Sequence, residues 1–389
     1  MNDVTIVLCA KAVRTLCYGY LGVLFPVYVV EHGLPSAGLG VAVTLTLAST
    51  AAFTFAARRP AARSGPRPVL MALSVAIVAS AMLFLATDHV AAIVLAAMLG
   101  NLAVGIGEAG PFLALEQVVV SRGVERDDLA RTMSVYNLVG YISAAAGSAL
   151  VARWLRTPST LFLLFLCSGL AQLALYSQLR HRAPDADVHE NAGPPRSGPL
   201  VRRLGALFAL DSLAGGLVVQ SLLAHWFRVR FGLSVDALFI VFGTTQLLSG
   251  LSLLVAPWLS RRLGLVNTMV FSHLISNLFL IGVAVAPAAP VAIGLLFARH
   301  LLSQIDVPTR QTFLMLVVPD DERESAATFT TMTRTVAQAC SPMVAGWAMH
   351  GAWLAAPLIA GGALKIVYDL ALWMMIRRAE DAARTPGAP

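Results

Sequence analysis

The sequence predicts an all-α membrane protein, with twelve transmembrane helices in two pseudo-symmetric bundles of six. Three observations predict it. Of the 389 residues, 57% are hydrophobic and only 13% charged, with a mean hydropathy of +0.74; soluble domains are roughly 45–50% apolar and about 25% charged. The apolar residues gather into runs long enough to cross a bilayer. A polar segment in the middle divides those runs six and six, and the two halves repeat one another.

The runs lie near residues 4–30, 37–57, 68–87, 90–114, 132–155, 158–180, 204–227, 236–258, 267–287, 290–318, 325–349 and 352–376. A hydrocarbon core about 30 Å thick takes about 20 residues of helix. Backbone in lipid must satisfy its own hydrogen bonds, so each run reads as a helix. The opening run, "MNDVTIVLCAKAVRTLCYGYLGVLFPVYVV", is too long for a cleaved signal peptide and is interrupted by Lys11 and Arg14. It reads as the first span. The fifth carries "AAAGSA", a small-residue face that lets a neighbour approach closely.

Residues 181–200, "HRAPDADVHENAGPPRSGPL", are polar and rich in proline and glycine, and read as a linker. The expected organisation is a first bundle over 1–180, a cytoplasmic linker over 181–203, a second bundle over 204–376 and a cytoplasmic tail over 377–389. Orientation follows from loop arginines. With the N-terminus inside, eighteen fall in the inner loops and tail and four (Arg153, Arg156, Arg228 and Arg230) in the outer loops. Both termini are therefore expected in the cytoplasm. Trp154, Trp226, Trp258, Trp347, Trp353 and Trp373 lie near span ends, as an interfacial belt requires.

The net charge of +7 sits in short gaps between apolar runs and not on one face, which excludes a nucleic-acid surface. The four cysteines have no paired spacing, and no HExxH or HxxEH motif occurs. No metal or other cofactor is implied.

The halves repeat at an offset of about 199 residues. "HGLPSAGL" matches "FGLSVDAL", with Gly33 opposite Gly232. "ARSGPRPVLM" matches "RRLGLVNTMV", with Gly65 opposite Gly264 and Arg63 opposite Arg262. "GEAGP" falls opposite "IDVPT" at an offset nearer 197. Matches in register imply a duplicated six-helix unit.

On these features the chain resembles the major facilitator superfamily over nearly its whole length. The resemblance rests on the 6+6 plan, the central linker, and the loops after spans 2 and 8, where the family carries a G-x-x-x-D-R-x-G-R-R type motif. Here Arg63, Gly65 and Arg67 fill the first copy, and Arg262 and Gly264 the second; these are the expected gating-loop residues. The motif's aspartate is replaced by Ala62 and by Arg261. The fifth span also lacks the proline of the family's drug–proton antiporters. The resemblance implies two bundles rocking about a central cavity lined by spans 1, 4, 7 and 10.

Ionisable residues inside a bilayer cost several kcal/mol and face a partner or a wet cavity. The deepest here are Arg14, Glu108, Asp211, Asp306, Arg310 and Arg334. The resemblance puts five of the six on cavity-lining spans. At 1.5 Å per residue, Arg14, Glu108, Asp211 and Asp306 lie roughly 12–20 Å from the cytoplasmic helix ends and could form one layer. Asp306 and Arg310 are an i,i+4 pair that could neutralise each other. Glu108 has no base four positions away on its own span, so it needs a partner elsewhere or a proton. Pro308 and Pro111 are expected to bend the tenth and fourth spans. Lys365 and Asp369 read as a structural i,i+4 pair. Lys11, Glu116 and Gln117 read as residues that reach for the cytoplasmic interface.

The expected function is secondary active transport of a small organic solute by alternating access. No Walker A motif is present, and protons acting through Glu108, Asp211 or Asp306 could drive efflux by antiport. The alternative is a uniporter or importer of an organic anion, held by Arg14, Arg310 or Arg334. A membrane-embedded enzyme fits poorly with the repeat, the short loops and the lack of metal ligands. The expected setting is a monomer in the plasma membrane (the inner membrane, if the source is bacterial), working in the lipid bilayer without nucleic acid.

Overall fold

The computed structural model describes residues 2–105, 110–154, 157–180, 198–319, 322–350 and 353–384. Among them are fifteen α-helices and no strand. They are α1 (Asp3–Glu31), α2 (Ser36–Ser64), α3 (Pro66–Ala86), α4 (Val90–Leu99), α5 (Pro111–Gly123), α6 (Arg126–Trp154), α7 (Pro158–Tyr176), α8 (Gly198–Leu217), α9 (Gln220–Phe231), α10 (Val235–Leu263), α11 (Leu265–Val285), α12 (Ala289–Leu302), α13 (Asp306–Val317), α14 (Arg323–His350) and α15 (Ala356–Arg384). Twelve spans account for all fifteen. The fourth is split into α4 and α5, the seventh into α8 and α9, and the tenth into α12 and α13. α8 begins at Gly198, inside the stretch expected to be linker.

The repeat has a conformational cause. Gly33 and Gly232 follow α1 and α9 at φ of 96° and 66°, and Gly65 and Gly264 follow α2 and α10 at 78° and 81°. A side chain is strained at such angles, so both halves place glycine where the chain leaves one helix for the next.

Spatially the chain forms two compact units. The first holds Met1–Glu190, Val218–Gly250 and Pro342–Leu354; the second holds Asn191–Leu217, Leu251–Ser341 and Ala355–Pro389. In the first unit, α1 is the central helix, with a nearly continuous run of buried residues from Cys17 to Val29. It meets α6 at backbone distance. A Cβ on Gly19 would lie 2.0 Å from the carbonyl oxygen of Ala144, and one on Gly147 would lie 1.9 Å from that of Leu16. The "AAAGSA" face is what permits this contact. Trp226, expected at the interface, is fully buried instead, edge-on to Phe227 and Phe231.

The second unit packs α8, α11, α13 and α15 around Leu204, Phe208, Met269, Leu314, Tyr368 and Leu372. α14 passes α8 closely: a Cβ on Gly216 would lie 2.4 Å from the carbonyl oxygen of Gln338. α14 carries "TTMTRTVAQACS" and is not among the helices apolar enough to cross lipid on composition alone.

Candidate functional site

Each unit buries its own cluster of charges. In the first, the guanidinium of Arg14 on α1 is forked onto the Glu116 carboxylate of α5. Nη1 donates to Oε1 at 3.0 Å and Nη2 to Oε2 at 2.7 Å. The hydroxyls of Tyr176 and Tyr136 donate to the same two oxygens at 2.5 and 2.7 Å. Gln172 Oε1 accepts from Nη1 at 3.2 Å, and Phe112 lies against the guanidinium face at 4.4 Å. Lys11 Nζ stands 3.8 Å from the Tyr136 ring centre. Arg14 and Glu116 have no exposure at all. The expectation that Glu116 and Lys11 reach for the interface is therefore corrected. α5 starts only at Pro111, which sets Glu116 in its second turn facing α1, where an arginine that cannot shed its proton requires a carboxylate.

The cluster of the second unit is organised around Asp211 on α8. Its Oδ1 accepts from Lys365 Nζ at 2.5 Å and its Oδ2 from Arg310 Nη1 at 3.2 Å. The same Arg310 nitrogen donates to Asp306 Oδ2 at 2.9 Å. The i,i+4 pair on α13 is thus real, but its arginine is shared with a third residue. His273 on α11 stands between two carboxylates. Its Nδ1 lies 2.7 Å from Asp369 Oδ1, and its Nε2 lies 3.7 Å from Asp211 Oδ1. Asn277 Nδ2 donates to Asp369 Oδ2 at 3.1 Å, and Arg299 Nη1 donates to Asn277 Oδ1 at 3.2 Å. Arg334 on α14 donates from Nε to Ser212 Oγ at 3.0 Å. The expected Lys365–Asp369 pairing is corrected too. The lysine turns to Asp211 on α8 and the aspartate to His273 on α11, because α15 lies between those two helices.

Helix breaks bring bare backbone to the first unit. α4 ends at Leu99, followed by the cap Gly100, Asn101 at φ 50° and an irregular segment through Gly105. α9 starts afresh at Gln220 after Val218 and Val219. The freed Ser221 N–H donates to Val104 O at 3.1 Å, and its hydroxyl donates to Gly22 O at 2.9 Å. Gln220 Oε1 accepts from Gln246 Nε2 at 3.0 Å. Irregular backbone at membrane depth is tolerated when it finds such partners. Pro308 does not bend a continuous helix, as had been expected. The helix stops at Leu302 and restarts at Asp306, which leaves Pro308 in the first turn of α13. A proline there removes no helical hydrogen bond. Glu108 lies outside the described residues.

The gating-loop residues stay at the periphery of their units. Arg63 and Arg262 are exposed, Arg67 Nη2 donates to Ser177 O at 2.6 Å, and Arg262 stacks on Trp258 at 4.8 Å. Among the described residues no group of histidine, cysteine or carboxylate side chains is placed to hold a metal ion. Sequence reasoning missed Gln172, Tyr176, His273, Asn277 and Arg299, and it read Tyr136 only as an aromatic suited to packing or an organic ligand. One signal was present. Arg14 and Asp211 stand about 197 residues apart, as do Gln172 and Asp369, and Pro111 and Pro308.

A sequence profile of the Major Facilitator Superfamily matches residues 7–304. An uncharacterized membrane protein of Saccharomyces cerevisiae, YJR124C, is 21% identical over 420 residues, covering 96% of this chain and 94% of its own length. The structure of the human organic anion transporter MFSD10 (TETRAN) is similar at a TM-score of 0.68 and 17% identity, over 95% of this chain and 98% of that one. The structure of the nucleoside transporter NupG is similar at 0.73 and 17% identity, over 97% and 99%. At these identities the structural likeness speaks to fold alone.

Proposed function

The chain belongs to the major facilitator superfamily, and from that premise we propose that it is a secondary active transporter of a small organic solute, exporting it by proton antiport. Its two six-helix halves, 1–180 and 204–376, alternate access to a central route. The protein works as a monomer in the plasma membrane, with both termini in the cytoplasm.

The observation that carries this reading is the shared Arg310 nitrogen. Asp211 and Asp306 both accept from it, and Lys365 also binds Asp211. Protonation of either aspartate frees Arg310 for the other, so proton uptake rearranges contacts among α8, α13 and α15. Competition between a proton and a substrate for such a carboxylate is sufficient for antiport. Glu108 joins the proposal on sequence grounds as a second carboxyl.

Purified protein in proteoliposomes loaded with a pH-sensitive dye tests it. Solute counterflow without chemical change, accompanied by proton movement, is the expected result. The Asp306→Asn, Arg310→Gln double variant should insert and fold normally yet fail to transport. Glu108→Gln should abolish transport or remove its pH dependence. Chemical conversion of the solute would mean an enzyme, and counterflow indifferent to a proton gradient would mean a uniporter.

A further inference from the structure

Charge does not balance in the cluster of the second unit. Among the described residues, Arg299, Arg310, Arg334 and Lys365 contribute four positive charges, and Asp211, Asp306 and Asp369 three negative ones. An uncompensated cation at membrane depth is costly unless an anion comes to it.

Two of the four cations have no carboxylate within ion-pair distance among the described residues. Arg299 is buried, and its Nη1 is occupied by Ser276 O at 3.1 Å and by Asn277. Arg334 is different. It is only half-buried, and among the described residues its hydrogen bond runs from Nε to Ser212 Oγ, with none from the two terminal nitrogens of the fork. Ser212 accepts that bond and keeps its own hydroxyl hydrogen to give. Arg310 stands near enough to add to the positive field there, and Asp211 and Asp306 near enough to offset part of it.

The helix that carries Arg334 is a second, independent observation. α14 presents Arg334, Gln338 and Ser341 at helical spacing, and its Gln338–Ser341 stretch packs on Gly216 of α8. It is the long membrane helix whose composition suits lipid least, as expected of a helix that faces a wet route. We infer that Arg334 and the Ser212 hydroxyl bind a carboxylate, sulfonate or phosphate group of the transported solute, so that the substrate is an organic anion. A planar guanidinium matches such groups through two parallel hydrogen bonds. The inference rests on the transporter reading for the word substrate, but not for the anion site.

The test uses the full chain in neutral detergent, with thermal unfolding followed against benzoate, benzenesulfonate and phenyl phosphate. Benzamide, benzylammonium and phosphatidylglycerol serve as contrasts. At least one small anion should stabilise the protein, while benzamide and benzylammonium should not. Arg334→Gln should unfold at the wild-type temperature without ligand, yet need roughly tenfold or more of that anion for the same stabilisation. Arg334→Lys, which keeps the charge and loses the fork, should fall between them, and Ser212→Ala should weaken binding by a smaller factor. Equal stabilisation by benzamide, no response to any anion, or a wild-type response in Arg334→Gln would overturn the inference. A response to phosphatidylglycerol alone would also overturn it, by assigning the site to a lipid headgroup. Counterflow of the bound anion separates the two proposals. Binding without counterflow sinks the transporter reading and leaves the site, whereas counterflow of only neutral or cationic solutes does the reverse.

Discussion

The two buried charge clusters occupy matching places in the repeat but are built to opposite ends. Arg14 and Asp211 stand at the same point of the first and seventh spans, with the sign of the charge exchanged. Arg14 meets one carboxylate in a fork, and both of its oxygens are further held by tyrosine hydroxyls. Both oxygens of that carboxylate are taken. Asp211 sits among three basic or imidazole partners, one of which is shared with Asp306. Among the described residues, the first cluster forks one arginine onto one carboxylate. The second shares one arginine nitrogen between two carboxylates, which is the feature the antiport proposal uses. On the proposed reading, that difference in partner number separates a rivet from a switch.

The comparison breaks most readily at Arg14. Removing Glu116 by Glu116→Ala strands a fully buried guanidinium and should cost about 3–5 kcal/mol. The paired change Arg14→Met with Glu116→Leu should recover most of that, as read by thermal unfolding in detergent. If either single variant is as stable as wild type, the first cluster is not the rivet described here.

Asp211→Asn should show the opposite balance. Arg310 retains Asp306 and the amide oxygen can still accept from Lys365, so the stability loss should be smaller, about 1–3 kcal/mol. Transport should nonetheless vanish. A variant that transports normally would reduce the second cluster to scaffolding.

Ser221→Ala sharpens the role of the broken seventh span. It removes the hydroxyl bond to Gly22 O but keeps the backbone bond to Val104 O, and about 1 kcal/mol should be lost. The smallest effect belongs to the solvent-facing pair Arg228–Glu31, at 2.8 Å with 36% and 52% of each side chain exposed. Glu31→Gln should shift stability by less than about 0.5 kcal/mol. A large loss there would show that burial is not what distinguishes the two clusters from surface pairs.

Much of this was legible in the sequence, for physical reasons that can be named. Lipid imposes length, so apolar runs located the twelve spans. Positive φ demands glycine, so the pairs Gly33/Gly232 and Gly65/Gly264 announced the repeat. Helix periodicity exposed Asp306 with Arg310. The break at Val218 and Val219 was hidden, because valine and leucine read as an unbroken run whether or not the backbone ladder continues. Glu116 was misread for a related reason. Its distance along the chain from a span end suggests the interface, and nothing local reports that Arg14, more than a hundred residues away, needs it. Lys365 and Asp369 misled in the other direction: their spacing permits a bond on one helix, but α8 and α11 offer each a better partner.

The contact between α1 and α6 has a consequence for how solutes arrive. Where Gly19 and Gly147 bring two backbones together, no acyl chain or lipophilic molecule fits between the helices. At that seam the two backbones leave no room for a membrane-dissolved compound to pass between them. Replacing Gly147 with a larger residue would force the seam apart, and the change would appear as leak of hydrophobic dyes along with any loss of stability.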